Sequence, residues 1–202
     1  FIELSRRVEK DRVIWRYDPI ILNDALDMAY HKVEFKRMCE KLSDFTDTVT
    51  VSFVDLYAKL KTPLVRVIND GEIAELSGFI GETAKAYGLR PVACCENDLT
   101  QYGIKHASCI DLERIENICG CKLDLKSDKN QRAGCGCVES IDIGAYNTCM
   151  NRCVYCYAND NPLTTRRRFD ARDPNGEILV GKLTGEEKIT ERAVRSNKKI
   201  DR

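Results

Sequence analysis

Short β-branched and aromatic runs alternate, through the first half of the chain, with longer stretches whose apolar residues recur every three or four positions. Arg12-Val13-Ile14-Trp15-Arg16-Tyr17 predicts a strand that stops at Asp18-Pro19. From Asn23 to about Leu42 the apolar positions Leu26, Tyr30, Val33, Met38 and Leu42 follow helical spacing. The run from Thr48 to Val54 is almost entirely β-favouring and predicts the next strand. A loop holding Pro63 leads to a helix from about Asp70 to Tyr87, interrupted by Gly78 and Gly81 and capped by Gly88. Arg90-Pro91-Val92-Ala93-Cys94 predicts a third strand.

Strands that alternate with helices over short connections favour parallel pairing through right-handed crossovers. Three such strands leave open whether the sheet stays open or curls into a barrel. Ionisable residues stand at each predicted strand end: Arg16 and Asp18, then Asp55, then Glu96. In parallel α/β folds that edge is where ligands bind, which makes these four the candidate catalytic residues. Charged strand ends that simply meet solvent are the plain alternative.

Further on, Ile110 to Cys119 predicts a short helix, Lys126 to Gln131 a polar loop, and Val138 to Gly144 an alternating strand. Beyond Asn159 the chain turns polar, with only Ile178-Leu179-Val180 able to pack, and is expected to form an extended arm. The expected organisation is therefore β/α repeats over residues 1–122, a cysteine-rich segment over 123–160 and a tail over 161–202. Arg166-Arg167-Arg168 suits a phosphate-bearing substrate or, by default, a solvated face.

Composition narrows the classes. The 202 residues are 43% hydrophobic, enough for a sizeable core. Lys plus Arg and Asp plus Glu number 32 each, so no bulk electrostatic attraction argues for nucleic acid or an anionic membrane. No segment reads as a membrane span or a secretory signal, and a cytoplasmic location is expected. The chain opens on Phe1 without an initiator Met and is expected to be part of a longer one.

Eleven cysteines change the picture most. The number is odd, and all but Cys39 lie between Cys94 and Cys156, a crowding that suits metal or iron–sulfur ligation better than crosslinks. Cys39 reads as a buried, inert small hydrophobe. Cys149-Met150-Asn151-Arg152-Cys153-Val154-Tyr155-Cys156 has the spacing C-x3-C-x2-C. Three thiolates in one short loop can reach three irons of a cubane and leave the fourth iron without a protein ligand, as an open catalytic site requires. A structural zinc needs four ligands, usually in paired knuckles, and fits a lone triplet less well.

This spacing, with Tyr155 just ahead of the last cysteine, resembles the radical S-adenosylmethionine signature. Over most of its length the chain also resembles the uncharacterised domain-of-unknown-function family eighteen forty-eight. The matching stretches are Arg12 to Pro19, Val51 to Tyr57, Gly103 to Asp111, and Gly134 to Tyr146 running into the triplet and Tyr157-Ala158. The resemblance implies a partial (β/α) barrel of parallel strands, circularly permuted so that the cluster-bearing strand comes last, with other strands ahead of Phe1. It implies a [4Fe–4S] cluster on Cys149, Cys153 and Cys156, S-adenosylmethionine as cofactor, and a low-potential electron donor such as flavodoxin or ferredoxin. Gly144 and Tyr155 are the residues expected to face that cofactor. It names no substrate.

Cys94, Cys95, Cys109, Cys135 and Cys137 form a second group. Gly136 permits Cys135 and Cys137 to turn toward one metal, and Cys94 and Cys109 bring the candidate ligands to four. A second [4Fe–4S] cluster and a structural zinc both fit, as does a set of free thiols. His31 and His106 read as surface or core residues. The rival to an enzyme is a non-catalytic iron–sulfur carrier or a zinc-stabilised binding module; action on nucleic acid has no support in the neutral composition.

Overall fold

The structure, a computed structural model, describes residues 1–56, 62, 64–132 and 134–199; Tyr57 and Pro63 lie outside the described residues. The chain divides into two units, one of residues 1–56, 64–140 and the stretch from Asn197, the other of Ile141–Ser196. The division falls inside the cysteine-rich segment 123–160.

The first unit is a four-stranded parallel sheet in the order β1-β2-β3-β4, with β1 Trp15–Ile20, β2 Thr48–Phe53, β3 Arg90–Ala93 and β4 Lys105–His106. Its helices are α1 Ile2–Val8, α2 Met28–Leu42, α3 Asp70–Ala86 and α4 Leu112–Cys119. The expected strand end at Asp18-Pro19 is corrected: β1 runs through a cis Asp18–Pro19 bond to Ile20, with a register shift between Tyr17 and Ile20. Proline is tolerated there because β1 is an edge strand, where one side of the backbone has no ladder to complete.

β2 is the strand buried on both faces: Thr48, Val49, Thr50, Val51 and Phe53 are all buried. Successive side chains alternate between faces. Val49, Val51 and Phe53 join Trp15, Phe35, Leu76, Ile80 and Ala84 in the main core, so α2 and α3 cover the same face. The strand register puts Arg16, Thr50, Val92 and Lys105 in one row of the opposite face.

α2 begins at Met28, later than Asn23. Asn23 accepts from the backbone N–H groups of Ala25 and Leu26 in a turn, and Asp27 caps the helix by accepting from Tyr30 N–H at 2.7 Å. The buried stripe is His31, Phe35, Cys39 and Leu42, while Tyr30 and Val33 face solvent. His31 displaces the expected stripe because its polar atoms are both satisfied. Nε2 donates to the Ile21 carbonyl at 2.9 Å, which leaves Nδ1 to accept from the Tyr17 hydroxyl at 2.8 Å. Phe35 stacks on Trp15 with centroids 5.1 Å apart. Cys39 is fully buried, and burial pushes its thiol up to about 12.

α3 starts with a capping box: Asn69 accepts from Glu72 N–H at 3.0 Å and Glu72 accepts from Asn69 N–H at 3.1 Å. It ends at Gly88, whose φ of 69° suits glycine. Gly81 lies against the Tyr102 carbonyl; a Cβ there would stand 1.8 Å from that oxygen, whereas one on Gly78 would meet Tyr102 at 3.8 Å.

Three further expectations need correction, and two elements went unforeseen. The stretch 138–144 makes no regular strand: Val138 bridges Ser127, and Ile141 and Ile143 are exposed. The helix foreseen from Ile110 starts at Leu112, where Asp111 caps it. α1, whose Ser5 hydroxyl donates to the Phe45 carbonyl, and the two-residue β4 were not foreseen. In the second unit, α5 Pro162–Asp170 stands where an extended arm was expected; Asn161 caps it and Pro162 fills its first position. No described helix is long and apolar enough to cross a membrane.

Two outcomes are expected. Gly81→Ala destabilises the protein by about 1–3 kcal/mol through overpacking, whereas Gly78→Ala raises stability by up to about 1 kcal/mol, as urea unfolding will read. The Arg66 guanidinium and the Asn69 N–H hold the Glu72 carboxyl down at about 2 from an ordinary 4.5. A depressed folded value stabilises above the ordinary value and is lost as pH falls through the folded one. The stability difference between wild type and Glu72→Gln therefore shrinks on acidification across that window, and a pH-independent difference would contradict this account.

Candidate metal centre

Parallel pairing delivers the ends of β3 and β4 side by side. Ala107 N–H donates to the Ala93 carbonyl at 2.9 Å and extends that ladder by one residue, so Cys109 emerges beside Cys94. Cys95, next in the chain, would point away in extended backbone. It adopts φ 58°, a left-handed conformation uncommon for a side-chain-bearing residue, and its Sγ lies 3.8 Å from Cys94 Sγ.

The third strand of thiols comes from the loop before Val138. Gly134 takes φ 84°, and Gly136 approaches Ser108 so closely that a Cβ would lie 2.6 Å from its hydroxyl oxygen. Val138 N–H donates to the Ile110 carbonyl at 3.2 Å, and Ile110 N–H returns a bond to Cys137 Sγ at 3.3 Å. Asp128 N–H fixes the Cys137 carbonyl at 2.9 Å. As a result the thiols of Cys94, Cys109 and Cys137 lie within 4.8 Å of one another, and so do those of Cys94, Cys95 and Cys135. Cys94 belongs to both sets. Either could hold a metal ion.

The four strand-edge candidates sit around these thiols as bonded pairs. Arg16 and Asp18 lie within β1, not beyond its end; their side chains pair at 2.5 Å, and the Arg16 guanidinium also bonds Cys109. Burial alone would lower the Arg16 value, but Cys109 and Asp18 outweigh it and hold the guanidinium firmly charged. Asp55 pairs with Arg132 at 2.7 Å, and Arg132 in turn bonds Cys95. Glu96 accepts from Phe53 N–H at 3.1 Å; burial drives its carboxyl up to about 7 against that bond. Burial, followed by the charge of Cys109, raises the Cys94 thiol well above the ordinary range.

The triplet belongs to the second unit and is held differently. Asn147, at φ 57°, donates its N–H to the Ala158 carbonyl at 2.8 Å and closes the loop that carries Cys149, Cys153 and Cys156. Its side-chain oxygen accepts from Asp160 N–H, Asn161 N–H and the Thr165 hydroxyl at 2.9, 3.2 and 3.3 Å. Asn159 Nδ2 donates to the Cys149 carbonyl at 2.5 Å and Arg168 to the Tyr146 carbonyl at 2.6 Å. Cys149 and Cys153 are exposed and Cys156 and Tyr155 half-buried. Gly144 is exposed, its N–H bonded to the Asp142 carboxylate at 2.7 Å. Within the described residues, close thiol convergence belongs to the Cys94-centred sets and not to the triplet.

Sequence reasoning placed Cys95 in the second cysteine group but named only Cys94, Cys109, Cys135 and Cys137 as ligands, and it passed over Arg132 and Asn147. Only the positive φ at Cys95, invisible in a propensity pattern, puts its thiol on the shared side. Asn147 carried a readable sign, since Asn tolerates the left-handed region and bonds backbone N–H groups. A groove of about 810 Å³ is lined by Thr50, Gly78, Tyr102 and Arg114 and, among the described residues, by none of the clustered thiols. Its walls carry His106 and scattered carboxylates, but the groups that converge closely enough to hold a metal ion are the cysteines at the strand ends, which makes them the stronger candidate site.

The chain is a parallel α/β protein with thiols converging at its strand ends into clusters that could hold a metal ion. The chain matches the model of the family described as "Domain of unknown function (DUF1848)" over residues 1–158 and belongs to that family. Neither the curated proteins nor the solved structures give a match.

Asn147→Ala removes three bonds at the neck of the triplet loop, a local loss of about 1–2 kcal/mol. Amide exchange across 149–156 is expected to accelerate roughly tenfold while that of β2 stays unchanged. Unaltered exchange in the loop would show that the side chain does not hold it.

Proposed function

We propose that the chain is part of a radical S-adenosylmethionine enzyme whose [4Fe–4S] cluster is ligated by Cys149, Cys153 and Cys156. The observation that carries this is the C-x3-C-x2-C run on a loop closed at its neck by Asn147, with two of its three thiols exposed. The donor set fits: three soft thiolates, no fourth cysteine in the loop, and a backbone fastened by Asn159 so that the ligands share one short segment. When bound, such a cluster supplies the electron that cleaves the cofactor's sulfonium to a 5′-deoxyadenosyl radical.

The sheet supports the barrel reading. Its strand order is consecutive, without the reversal of an open doubly wound sheet. α2 and α3 cover one face, and the other carries Arg16, Thr50 and Lys105, as the inner wall of a barrel would. Arg16, Asp18, Asp55 and Glu96 then orient the substrate, the two carboxylate–arginine pairs fixing side-chain direction and Glu96 carrying a proton near neutral pH. Gly144 and Tyr155 flank the cofactor. A reducing, cytoplasmic setting and a flavodoxin or ferredoxin as electron donor complete the reading.

The second reading, a non-catalytic zinc-stabilised module, is favoured by one observation, the convergence of the Cys94-centred thiols. The two are separated by anaerobic iron–sulfur reconstitution and EPR of the reduced protein, wild type and Cys153→Ala, with and without S-adenosylmethionine. A [4Fe–4S]⁺ signal that shifts on adding the cofactor and is lost in the variant is expected. Zinc alone, with no reconstituted cluster in the wild type, would overturn the enzyme reading.

A further inference from the structure

We propose that the Cys94-centred thiols form a structural zinc site, with Cys94, Cys109, Cys135 and Cys137 as the four ligands, separate from the triplet and independent of whether the triplet binds a cluster.

Distance decides between zinc and a second cubane. One zinc gathers four thiolates at about 2.3 Å each, which sets the sulfur–sulfur edges of a tetrahedron near 3.8 Å. A cubane gives each thiolate its own iron and spreads the sulfurs wider. Cys94 Sγ lies within 4.8 Å of the Cys109, Cys135 and Cys137 thiols, and the Cys109 and Cys137 thiols lie within 4.8 Å of each other. That compactness is the scale of a single ion.

The surroundings are those of a closed, charged complex. Four thiolates around a divalent ion leave two negative charges. The Arg16 guanidinium, paired with Asp18, stands beside Cys109, and the Arg132 guanidinium, paired with Asp55, beside Cys95, so charged side chains flank the thiols on two sides. Ile110 N–H already donates to Cys137 Sγ, the kind of backbone bond that orients a ligating thiolate. Gly136 lets the Cys135 and Cys137 thiols serve as a pair, because no side chain would fit between its backbone and Ser108. Cys95 stands beside the ligands, held by Arg132, as a spare thiol. Each ligating thiol gives its proton to solvent as zinc binds. The saturated coordination leaves no open position, so the ion fastens the loop before Val138 to the ends of β3 and β4 and does no chemistry of its own.

The test uses the full chain and the triple variant Cys149→Ala/Cys153→Ala/Cys156→Ala, purified without added iron. Elemental analysis is expected to find equimolar zinc in both. Cobalt(II) in place of zinc is expected to give intense tetrahedral d–d bands and sulfur-to-cobalt charge transfer. In chelator competition, Cys→Ser at 94, 109, 135 or 137 weakens zinc binding by more than about a hundredfold, while Cys95→Ser, Cys119→Ser and Cys121→Ser stay within about threefold. If the ligand variants do not fold, the cobalt spectrum of the wild-type chain decides alone. Octahedral cobalt bands, or stoichiometric iron and no zinc in the triple variant, would overturn the proposal. Loss of zinc on Cys95→Ser with retention on Cys135→Ser would overturn the ligand assignment. Failure of the triplet to form a cluster leaves all these readouts intact, so the two proposals fail separately.

Discussion

Parallel pairing around a doubly buried β2 is the constraint from which the rest of the first unit follows. A strand paired in parallel on both sides cannot be joined to its neighbours by tight hairpins, because parallel neighbours must be reached by crossovers. The chain therefore returns each time to the same end of the sheet. Whatever follows β2, β3 and β4 is discharged along one edge: Asp55, then Cys94, Cys95 and Glu96, then Cys109. No single contact recruits these residues. The topology collects them, and the loop before Val138 adds Cys135 and Cys137 through its bonds to Ile110.

That edge is electrostatically loaded, and its balance explains the paired carboxylates. Cys94 is resistant to ionisation in its unliganded surroundings because burial penalises the thiolate. Arg16 and Arg132 supply the opposing charge, and each is itself held by a carboxylate, Asp18 and Asp55. The carboxylates thus orient the cations that face the thiols. Charged side chains at strand ends are commonplace; charged side chains each bonded both to a partner and toward a cysteine are a more specific arrangement.

Much of this was legible in the sequence where local chemistry and tertiary structure agree. The Thr48–Phe53 run and Gly88 mark β2 and the end of α3 because propensity, capping and burial point the same way. The misses have separate physical causes. β4 is two residues long and exists only through its ladder with β3. The stripe of α2 was misread because His31, polar by type, is buried once both ring nitrogens are bonded. Cys95 was grouped with the clustered cysteines but not among the four ligands, because its approach to Cys94 depends on one positive φ that composition does not encode. α5 announced itself through Asn161-Pro162, a start signal outweighed by the polar composition downstream.

The two groups of cysteines differ in how the fold prepares them, and the difference has chemical content. The Cys94 set is assembled from three separate stretches, so its geometry exists only when the sheet is formed, and whatever it binds strengthens contacts between distant segments. The triplet is local: its thiols share one loop, closed by Asn147 and fastened to α5. A local set of three can present an ion or cluster while leaving a position for a further ligand; a long-range set of four or more, compact and flanked by cations, encloses what it holds. Joining distant segments suits a structural ion, and keeping a position open suits a reactive one. The spacing of the cysteines along the chain therefore separates the two proposed roles, and the surrounding hydrogen bonds hold each group in its own way.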